Sequence, residues 1–100
     1  MTRFKELDPI LHSQLRLAVI SLLIGIEVAE FTYIKEQTGA TAGNLSIQIT
    51  KLKDAGYIEV TKKFRNNYPQ TLCSITKLGR QKFTEYVRDL KDYLSPEKPE

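Results

Sequence analysis

The sequence predicts a mainly α-helical fold with one small antiparallel β-hairpin. Apolar residues recur at helical spacing in three stretches before residue 56, apolar and polar residues alternate over residues 57–64, and a longer amphipathic stretch follows Thr76. A chain of 100 residues with 41% hydrophobic and 27% charged residues has room for one modest core. We therefore predict a single domain over residues 1–100, with a core from about residue 8 to residue 94 and a disordered tail at residues 95–100.

The first helix is predicted from Ser13 to about Ile26. Asp8-Pro9 combines a capping residue with a first-turn proline, so a helix start there is the alternative to a start near Ser13. The helical spacing is carried by apolar residues that should face the core: Leu15, Val19, Leu22, Leu23 and Ile26.

The second and third helices are predicted to lie close together in the chain. Glu27–Phe31 is expected to be a short extended link, after which Thr32 caps a brief helix that ends at Gly39. Thr41 then caps a third helix that ends near residue 56, with an apolar stripe at Leu45, Ile49 and Leu52. Because the connection between these helices is so short, they should cross steeply, which is the helix-turn-helix arrangement.

The β-hairpin follows directly. Tyr57–Phe64 alternates and is predicted as a strand whose inner face carries Ile58, Val60 and Phe64. Gln70–Ile75 pairs with it antiparallel, and the loop Arg65–Pro69 joins them, because asparagine tolerates positive φ and proline does not suit a ladder interior. Two strands alone are marginally stable, so the hairpin should pack on the helices.

The last predicted element is a long helix that begins after Thr76 and reaches about Leu94, before Ser95-Pro96 breaks it. Its apolar positions alternate steps of three and four, and a second apolar stripe lies near the N-terminus. We predict that both stripes form a dimer interface; the alternative is that they cover the domain's own core. The predicted interface residues are Phe4, Leu7, Leu11, Phe83, Tyr86, Val87, Leu90, Tyr93 and Leu94.

Positive charge is concentrated in one part of the chain. Residues 41–80 contain seven cationic and two acidic residues, a net charge of +5, whereas the remainder contains eight cationic and ten acidic residues, a net charge of −2. This asymmetry is typical of a phosphate-binding surface, and the alternative is a solvated face that binds nothing.

Several classes of protein are disfavoured. One cysteine, Cys73, and one distant histidine, His12, predict neither a disulfide nor a metal site, and no cofactor or catalytic motif is present, so an enzyme is not expected. The apolar run Leu17–Ile26 is shorter than the roughly 20 residues of a membrane span. With no signal peptide at the N-terminus, the expected compartment is the cytoplasm.

Three segments carry a resemblance to a known family: Thr41-Ala42-Gly43-Asn44-Leu45-Ser46, Leu52-Lys53-Asp54-Ala55-Gly56-Tyr57-Ile58 and Ile75-Thr76-Lys77-Leu78-Gly79. In this order, residues 8–94 resemble a winged helix-turn-helix transcriptional regulator of the MarR-like and ArsR-like kind. The resemblance implies a three-helix core plus a wing and a long C-terminal helix. It also implies sequence-specific binding of double-stranded DNA by a homodimer that acts as a repressor.

The third helix is the predicted recognition helix. Its outer face is small and polar, which permits deep entry into a major groove; Asn44 is a candidate reader of adenine and Ile47 of a thymine methyl. Asparagine in a first turn is, as the alternative, a local hydrogen-bonding residue. The candidate DNA-binding residues of this helix are Thr41, Ala42, Gly43, Asn44, Ser46, Ile47, Gln48, Thr50 and Lys51.

Further candidates lie in the predicted wing and at the start of the last helix. Arg65, at the wing tip, is the best candidate to enter a narrow minor groove. The full set of wing and backbone contacts is Lys62, Lys63, Arg65, Asn66, Asn67, Lys77 and Arg80.

Several alternatives to this function remain open in the sequence. Many relatives carry a long polar or cationic side chain where this chain has Ile47, which favours a protein-interaction module without DNA binding as the second hypothesis. Metal sensing of the ArsR-like kind lacks ligands, whereas redox sensing by Cys73 competes with the interpretation that this residue is a small buried apolar side chain. An unidentified small-molecule effector between the core and the dimer helices is also open.

Overall fold

The computed structural model describes residues 3–95, which form four helices and a three-stranded antiparallel sheet. The predicted fold class is confirmed. In chain order the elements are α1 (Gln14–Ile26), β1 (Val28–Glu30), α2 (Phe31–Thr38), α3 (Ala42–Asp54), β2 (Ile58–Arg65), β3 (Tyr68–Ile75) and α4 (Lys77–Leu94). Of the predicted tail, Ser95 is the C-cap of α4, and the other residues lie outside the described range.

Helix α1 begins after Ser13, the second of the two predicted start sites. Asp8 instead fixes a turn before the helix, because its Oδ1 accepts a hydrogen bond from the Ile10 amide at 2.8 Å and its carbonyl accepts one from the His12 amide at 2.8 Å. Of the predicted apolar stripe, Val19 and Leu23 are buried and Leu15 and Leu22 are half-buried. Ile26 is an exception, since it lies in the last turn and is 47% exposed.

The predicted link Glu27–Phe31 contains a strand. β1 pairs antiparallel with β3, with Ala29 opposite Cys73, so the sheet order is β1-β3-β2. The strand runs directly into α2, whose N-cap is Glu30, so the prediction of Thr32 as the cap is wrong. The Thr32 hydroxyl donates to the Glu30 carboxylate at 3.3 Å instead.

Helices α2 and α3 match the predicted helix-turn-helix. Gly39 ends α2 in the left-handed region at φ 70°, and its amide donates to the Lys35 carbonyl. The Thr41 hydroxyl caps α3 by accepting a hydrogen bond from the Asn44 amide at 3.2 Å. The predicted stripe of Leu45, Ile49 and Leu52 is buried.

The hairpin is longer and its turn tighter than the sequence predicted. Asn66 and Asn67 form a two-residue turn with φ of 51° and 65°, the conformation of a type I′ turn. The residues that flank such a turn form a hydrogen-bonded pair, so the next pair, Phe64 and Pro69, is a non-hydrogen-bonded one. Pro69 therefore fits within β3 even though it lacks an amide hydrogen.

The inward orientation predicted for Phe64 is wrong. Ile58 at the base of β2 is buried and Val60 is half-buried, but Phe64 is 77% exposed. Alternation places Phe64 on the same face as these residues, but the distal part of the hairpin extends beyond the helices. This projecting part, residues 61–70, is the wing.

Two residues predicted for dimer contact belong to the core. Leu11 is fully buried and Tyr86 is 4% exposed, so their assignment to a dimer interface is wrong. The N-terminal segment is held over the core by the Tyr57 hydroxyl, which donates to Asp8 Oδ2 at 2.5 Å, and by a 3.0 Å contact between His12 Nδ1 and the Tyr86 hydroxyl. The first half of α4 therefore covers the domain's own core.

Thr76 caps α4 as predicted, and a glycine follows it where α4 meets the α3–β2 connection. The Thr76 hydroxyl accepts a hydrogen bond from the Gly79 amide at 3.0 Å and donates to the Gly56 carbonyl at 2.7 Å. A Cβ atom on Gly79 would lie 2.2 Å from the Tyr57 carbonyl oxygen. Only glycine permits this close backbone approach.

Candidate nucleic-acid interface

The outer face of α3 is accessible along its whole length. Because the buried stripe holds the opposite face against the core, eight of the nine candidate residues from Thr41 to Lys51 are exposed, and Gln48 is half-buried. Ile47 is 57% exposed on this face. The small side chains of the first turn, Ala42 and Gly43, allow a close approach of another surface to the helix.

Asn44 and Gln48 form a local hydrogen-bond network on α3. The Asn44 Oδ1 accepts a hydrogen bond from Gln48 Nε2 at 3.1 Å, and the Gln48 carbonyl oxygen accepts one from the Arg16 guanidinium. The Asn44 oxygen is thus held by its own helix. Bidentate recognition of an adenine by Asn44 requires exchange of this bond.

Arg16 was not among the sequence candidates. Its Nε donates to the Ile10 carbonyl at 2.6 Å, and its second guanidinium nitrogen contacts Gln48, so it connects the N-terminal segment, α1 and α3. This places a half-buried cation beside the recognition helix. A lone arginine within the apolar sequence of α1 was the available signal.

A groove with a volume of about 300 Å³ separates α3 from the wing. Its walls carry hydroxyl and ammonium groups and its floor is apolar. The lining residues are Phe31, Ser46, Ile49, Thr50, Lys53, Val60, Lys62 and Thr71. The Thr50 hydroxyl donates to the Ser46 carbonyl at 3.0 Å, so the donors left for a ligand are the other hydroxyls and the lysines. Such a set suits a phosphodiester strand, with the phosphate at the walls and the sugar on the floor.

Lys53 and Thr71 are the polar groove residues that sequence reasoning missed. Lys53 lies three residues after Thr50 and seven after Ser46, so helical spacing was the signal that places it on the same face. Thr71 comes from β3 and lies opposite Lys62. Only the strand register brings it to the groove.

The wing carries its cations on both faces. Lys62 lies on the face that lines the groove, whereas Lys63 and Arg65 lie on the other, and all three are exposed together with the turn asparagines. Residues 61–70 contain these three cations and no acidic residue. The local charge is therefore uniformly positive.

The two candidates at the start of α4 differ in their surroundings. Lys77 is exposed. The Arg80 guanidinium lies 3.5 Å from the Glu27 carboxylate and 3.5 Å from the Ile24 carbonyl, so the structure ties it to the end of α1 and does not bring it into the groove.

Cys73 lies in the core, as predicted. Its side chain is fully buried, and burial raises the pKa of the thiol to about 11. Since the thiolate is the reactive form, a redox role for this residue is disfavoured.

Among residues 3–95, no group of three or more His, Cys, Asp or Glu side chains is placed to hold a metal ion. The helices in this range also include none with the length and apolar character that a membrane crossing demands.

A helix-turn-helix followed by a hairpin whose wing, residues 61–70, carries three cations and no acidic residue defines the winged-helix class of proteins, and comparison with known sequences agrees. The chain belongs to the family described as winged helix DNA-binding domain, which matches residues 15–94. It is 35% identical over 81 residues to the uncharacterized protein MJ0432 of Methanocaldococcus jannaschii, a match that covers 81% of this chain and 88% of that protein.

Solved structures agree with this assignment. A transcriptional regulator homologue from Pyrococcus horikoshii OT3 matches with a TM-score of 0.80 and 27% identity, over 85% of this chain and 84% of that chain. NadR, solved in complex with 4-hydroxyphenylacetate, shares the fold with a TM-score of 0.70 and 20% identity, over 86% of this chain and 63% of that chain. The predicted resemblance to winged-helix transcriptional regulators is confirmed, and this family is not one of enzymes.

Proposed function

We propose that this chain is a transcriptional repressor that binds duplex DNA sequence-specifically as a homodimer. The observation that carries the proposal is the continuity of one surface: the exposed outer face of α3 leads through the groove to the acid-free wing. A duplex major groove admits a helix with small side chains, and the wing then lies along the adjacent minor groove.

Each part of this surface has its own role in the proposal. Thr41 and the amides of the first turn of α3 bind a phosphate, since a helix N-terminus favours anions. Asn44, Ser46 and Ile47 contact base edges, and Arg65 enters the minor groove. Further contacts with the DNA backbone come from Gln48, Lys51, Lys62, Lys63, Asn66, Asn67 and Lys77. Thr50 and Arg80 are left out of the proposal because the Ser46 carbonyl and the Glu27 carboxylate, respectively, already hold them.

The homodimer is supported by an apolar patch at the end of α4. Phe4, Tyr93 and Leu94 are 46%, 44% and 70% exposed, and the rings of Phe4 and Tyr93 lie 5.0 Å apart. The other residues of the proposed interface, Leu7, Phe83, Val87 and Leu90, are half-buried, and three of them, Leu7, Phe83 and Leu90, also pack against the core. A two-fold dimer places its recognition helices about one helical turn, roughly 34 Å, apart, so the operator should be roughly palindromic.

A small-molecule effector is part of the proposal. NadR was solved with 4-hydroxyphenylacetate, and this chain has a cavity of about 440 Å³ between its N-terminal segment and α4. Tyr57 and Tyr86 line the cavity, and Tyr57 follows the end of α3. A ligand there would contact both the α3–β2 connection and the proposed dimer helix.

Fluorescence anisotropy of a mixed-sequence duplex, titrated with protein at several salt concentrations, tests the proposal. Affinity should fall steeply with salt because phosphate contacts release counterions. Joint replacement of Lys62, Lys63 and Arg65 by glutamine should reduce the logarithmic salt slope by about three units, about one per contact.

A matched control removes the same charge from α4, through Lys82→Gln, Arg88→Gln and Lys91→Gln, and should leave the salt slope unchanged. Equal effects of both triple variants would contradict the wing assignment, since net charge alone would then account for the loss. Absence of binding by the native protein at low salt would contradict DNA binding itself.

The second candidate function is a winged-helix protein-interaction module. The observation that favours it is Ile47, which is 57% exposed on the outer face of α3 where a polar reader is expected. Absence of duplex binding at low salt would favour this function over the first.

A further inference from the structure

Two aromatic rings on the wing have no role in the interface described so far. Phe64 is 77% exposed and Tyr68 is 75% exposed, the highest values for any large hydrophobic side chain among residues 3–95. An aromatic ring exposed to this extent contributes little to the stability of the fold. Both rings are therefore available to a binding partner.

The strand register places one ring on each face of the wing. Phe64 lies opposite Pro69, on the face that carries Lys62 and leads to the groove beside α3. Tyr68 lies opposite Arg65, on the face that also carries Lys63. Each face therefore presents an aromatic ring beside at least one cation.

The positive charge around Phe64 and Tyr68 indicates which class of partner the wing can bind. Residues 61–70 carry three cations and no acid, so two wings of this kind would repel each other, and a polyanion would be attracted. A partner that offers both phosphates and apolar surfaces fits both features. Nucleic acid has this combination, because sugars and bases lie directly behind the phosphates.

We propose that Phe64 and Tyr68 contact deoxyribose and base surfaces of the DNA minor groove, as apolar wedges on the two faces of the wing. The inference rests on the proposed DNA binding and adds a component that is independent of phosphate charge. The minor groove is about 6 Å wide, so a hairpin tip with side chains on both faces widens it on entry. Apolar side chains then contact the exposed sugars and base steps.

The wing is well shaped for this role. The two-residue turn at Asn66 and Asn67 leaves few alternative conformations at the tip, and Pro69 has a fixed φ directly opposite Phe64. Ordering costs on binding are small for a preorganised segment. The rings are thus held close to their binding geometry before DNA arrives.

A tryptophan reporter tests the proposal directly. The chain contains no tryptophan, so Phe64→Trp creates a single reporter within the wing. Its emission should be quenched, and protected from acrylamide, when a saturating mixed-sequence duplex is added. The matched control is Ile26→Trp, at an exposed apolar position beside the base of the sheet, whose emission should not change.

Truncation of the ring gives a second readout. Phe64→Ala should weaken duplex binding about tenfold, a typical loss for one aromatic contact with a nucleotide, and should leave the salt slope unchanged. Lys62→Gln, on the same face, should instead lower the slope by about one unit.

Three outcomes would overturn the inference. If the Phe64→Trp protein binds duplex without a change in emission, the Phe64 face does not contact DNA and the pair of wedges is ruled out, although the proposed function stands. If its emission changes with protein concentration in the absence of DNA, the rings contact a second copy of the chain. If the native protein binds no duplex at low salt, the inference fails together with the proposed function.

Discussion

Gly79 allows α4 to lie directly against the Tyr57 carbonyl. Because an added Cβ would lie 2.2 Å from that oxygen and 3.1 Å from the Ile75 side chain, Gly79→Ala forces α4 away from the α3–β2 connection. We expect the free energy of unfolding to fall by about 2–4 kcal/mol, a loss typical of severe overpacking. Chemical denaturation followed by circular dichroism measures the change.

Gly25 is the matched control for that substitution. It lies within α1, and an added Cβ would have no atom within 4 Å beyond its chain neighbours and the nearby backbone of its own helix. Gly25→Ala should therefore raise the free energy of unfolding by about 0.5–1 kcal/mol, the usual helix gain over glycine. Equal stability of the Gly79→Ala and Gly25→Ala proteins would show that the close approach at Gly79 is not required.

The rate at which the Cys73 thiol is labelled tests whether the core around it is closed to solvent. Since the thiol is fully buried and its pKa is raised to about 11, thiolate is scarce at neutral pH and the sulfur is inaccessible. A disulfide reagent should label the folded protein at least about a hundredfold more slowly than the protein in denaturant, because labelling requires opening of the core. Rapid, complete labelling under native conditions would contradict the buried assignment.

At the scale of single elements, the wing depends on its turn. Both turn residues have positive φ, so Asn67→Val places a β-branched side chain in the left-handed region at a cost of about 1–2 kcal/mol. The exposed hairpin should then open locally while the core remains folded. We expect faster amide exchange at Lys63 and Gln70, weaker duplex binding and little change in the melting temperature.

Asn67→Gly is the control for the turn, because glycine adopts positive φ without strain. It should preserve amide protection in the wing, and its duplex affinity should exceed that of Asn67→Val, because only the Asn67 side-chain contact is lost. If Asn67→Val instead lowered the free energy of global unfolding by the full cost of the strained turn, the wing would unfold together with the core.

The elements that the sequence predicted well are those with local signals. Capping by Thr41 and Thr76 and the stripe of α3 depend on residues a few positions apart, so the sequence alone specifies them. Strand β1 has only three residues, too few to reveal alternation, and it forms because β3 offers a partner far along the chain. Alternation placed Phe64 on the correct face of β2. It could not show that the wing extends beyond the helices, because that depends on how the whole fold packs.

The same distinction holds for the candidate site. The outer face of α3 followed from its buried stripe, since helical periodicity fixes both faces together. Arg16 and Thr71 belong to α1 and β3, and tertiary packing creates their proximity to α3, whereas helical spacing within α3 already places Lys53 beside Ser46 and Thr50. Sequence reasoning therefore identified the exposed face of the candidate recognition helix and missed the neighbours that lie beside it.

At the scale of the whole molecule, the proposed dimer patch and the proposed DNA-binding surface belong to different parts of the chain. The positive α3 and wing lie in the part of the chain with a net charge of +5, whereas the exposed apolar patch of Phe4, Tyr93 and Leu94 belongs to the part with a net charge of −2. A second copy can therefore pack on the α4 patch without covering the positive surface. This separation is what a dimer needs if both of its subunits are to contact one duplex.

The final prediction tests that arrangement. Leu94 is 70% exposed at the end of α4, so Leu94→Glu leaves the core intact but places a charge in the proposed dimer contact. Sedimentation equilibrium should give a dimer of the 11.5 kDa chain for the native protein and a monomer for the variant. The native melting temperature should also rise with protein concentration, because association stabilises the folded state, and that dependence should be lost in Leu94→Glu. The control Ile26→Glu charges an apolar position outside the patch and should remain dimeric. If the Leu94→Glu protein is still a dimer, or if the native protein sediments as a monomer, the α4 patch is not a self-association surface.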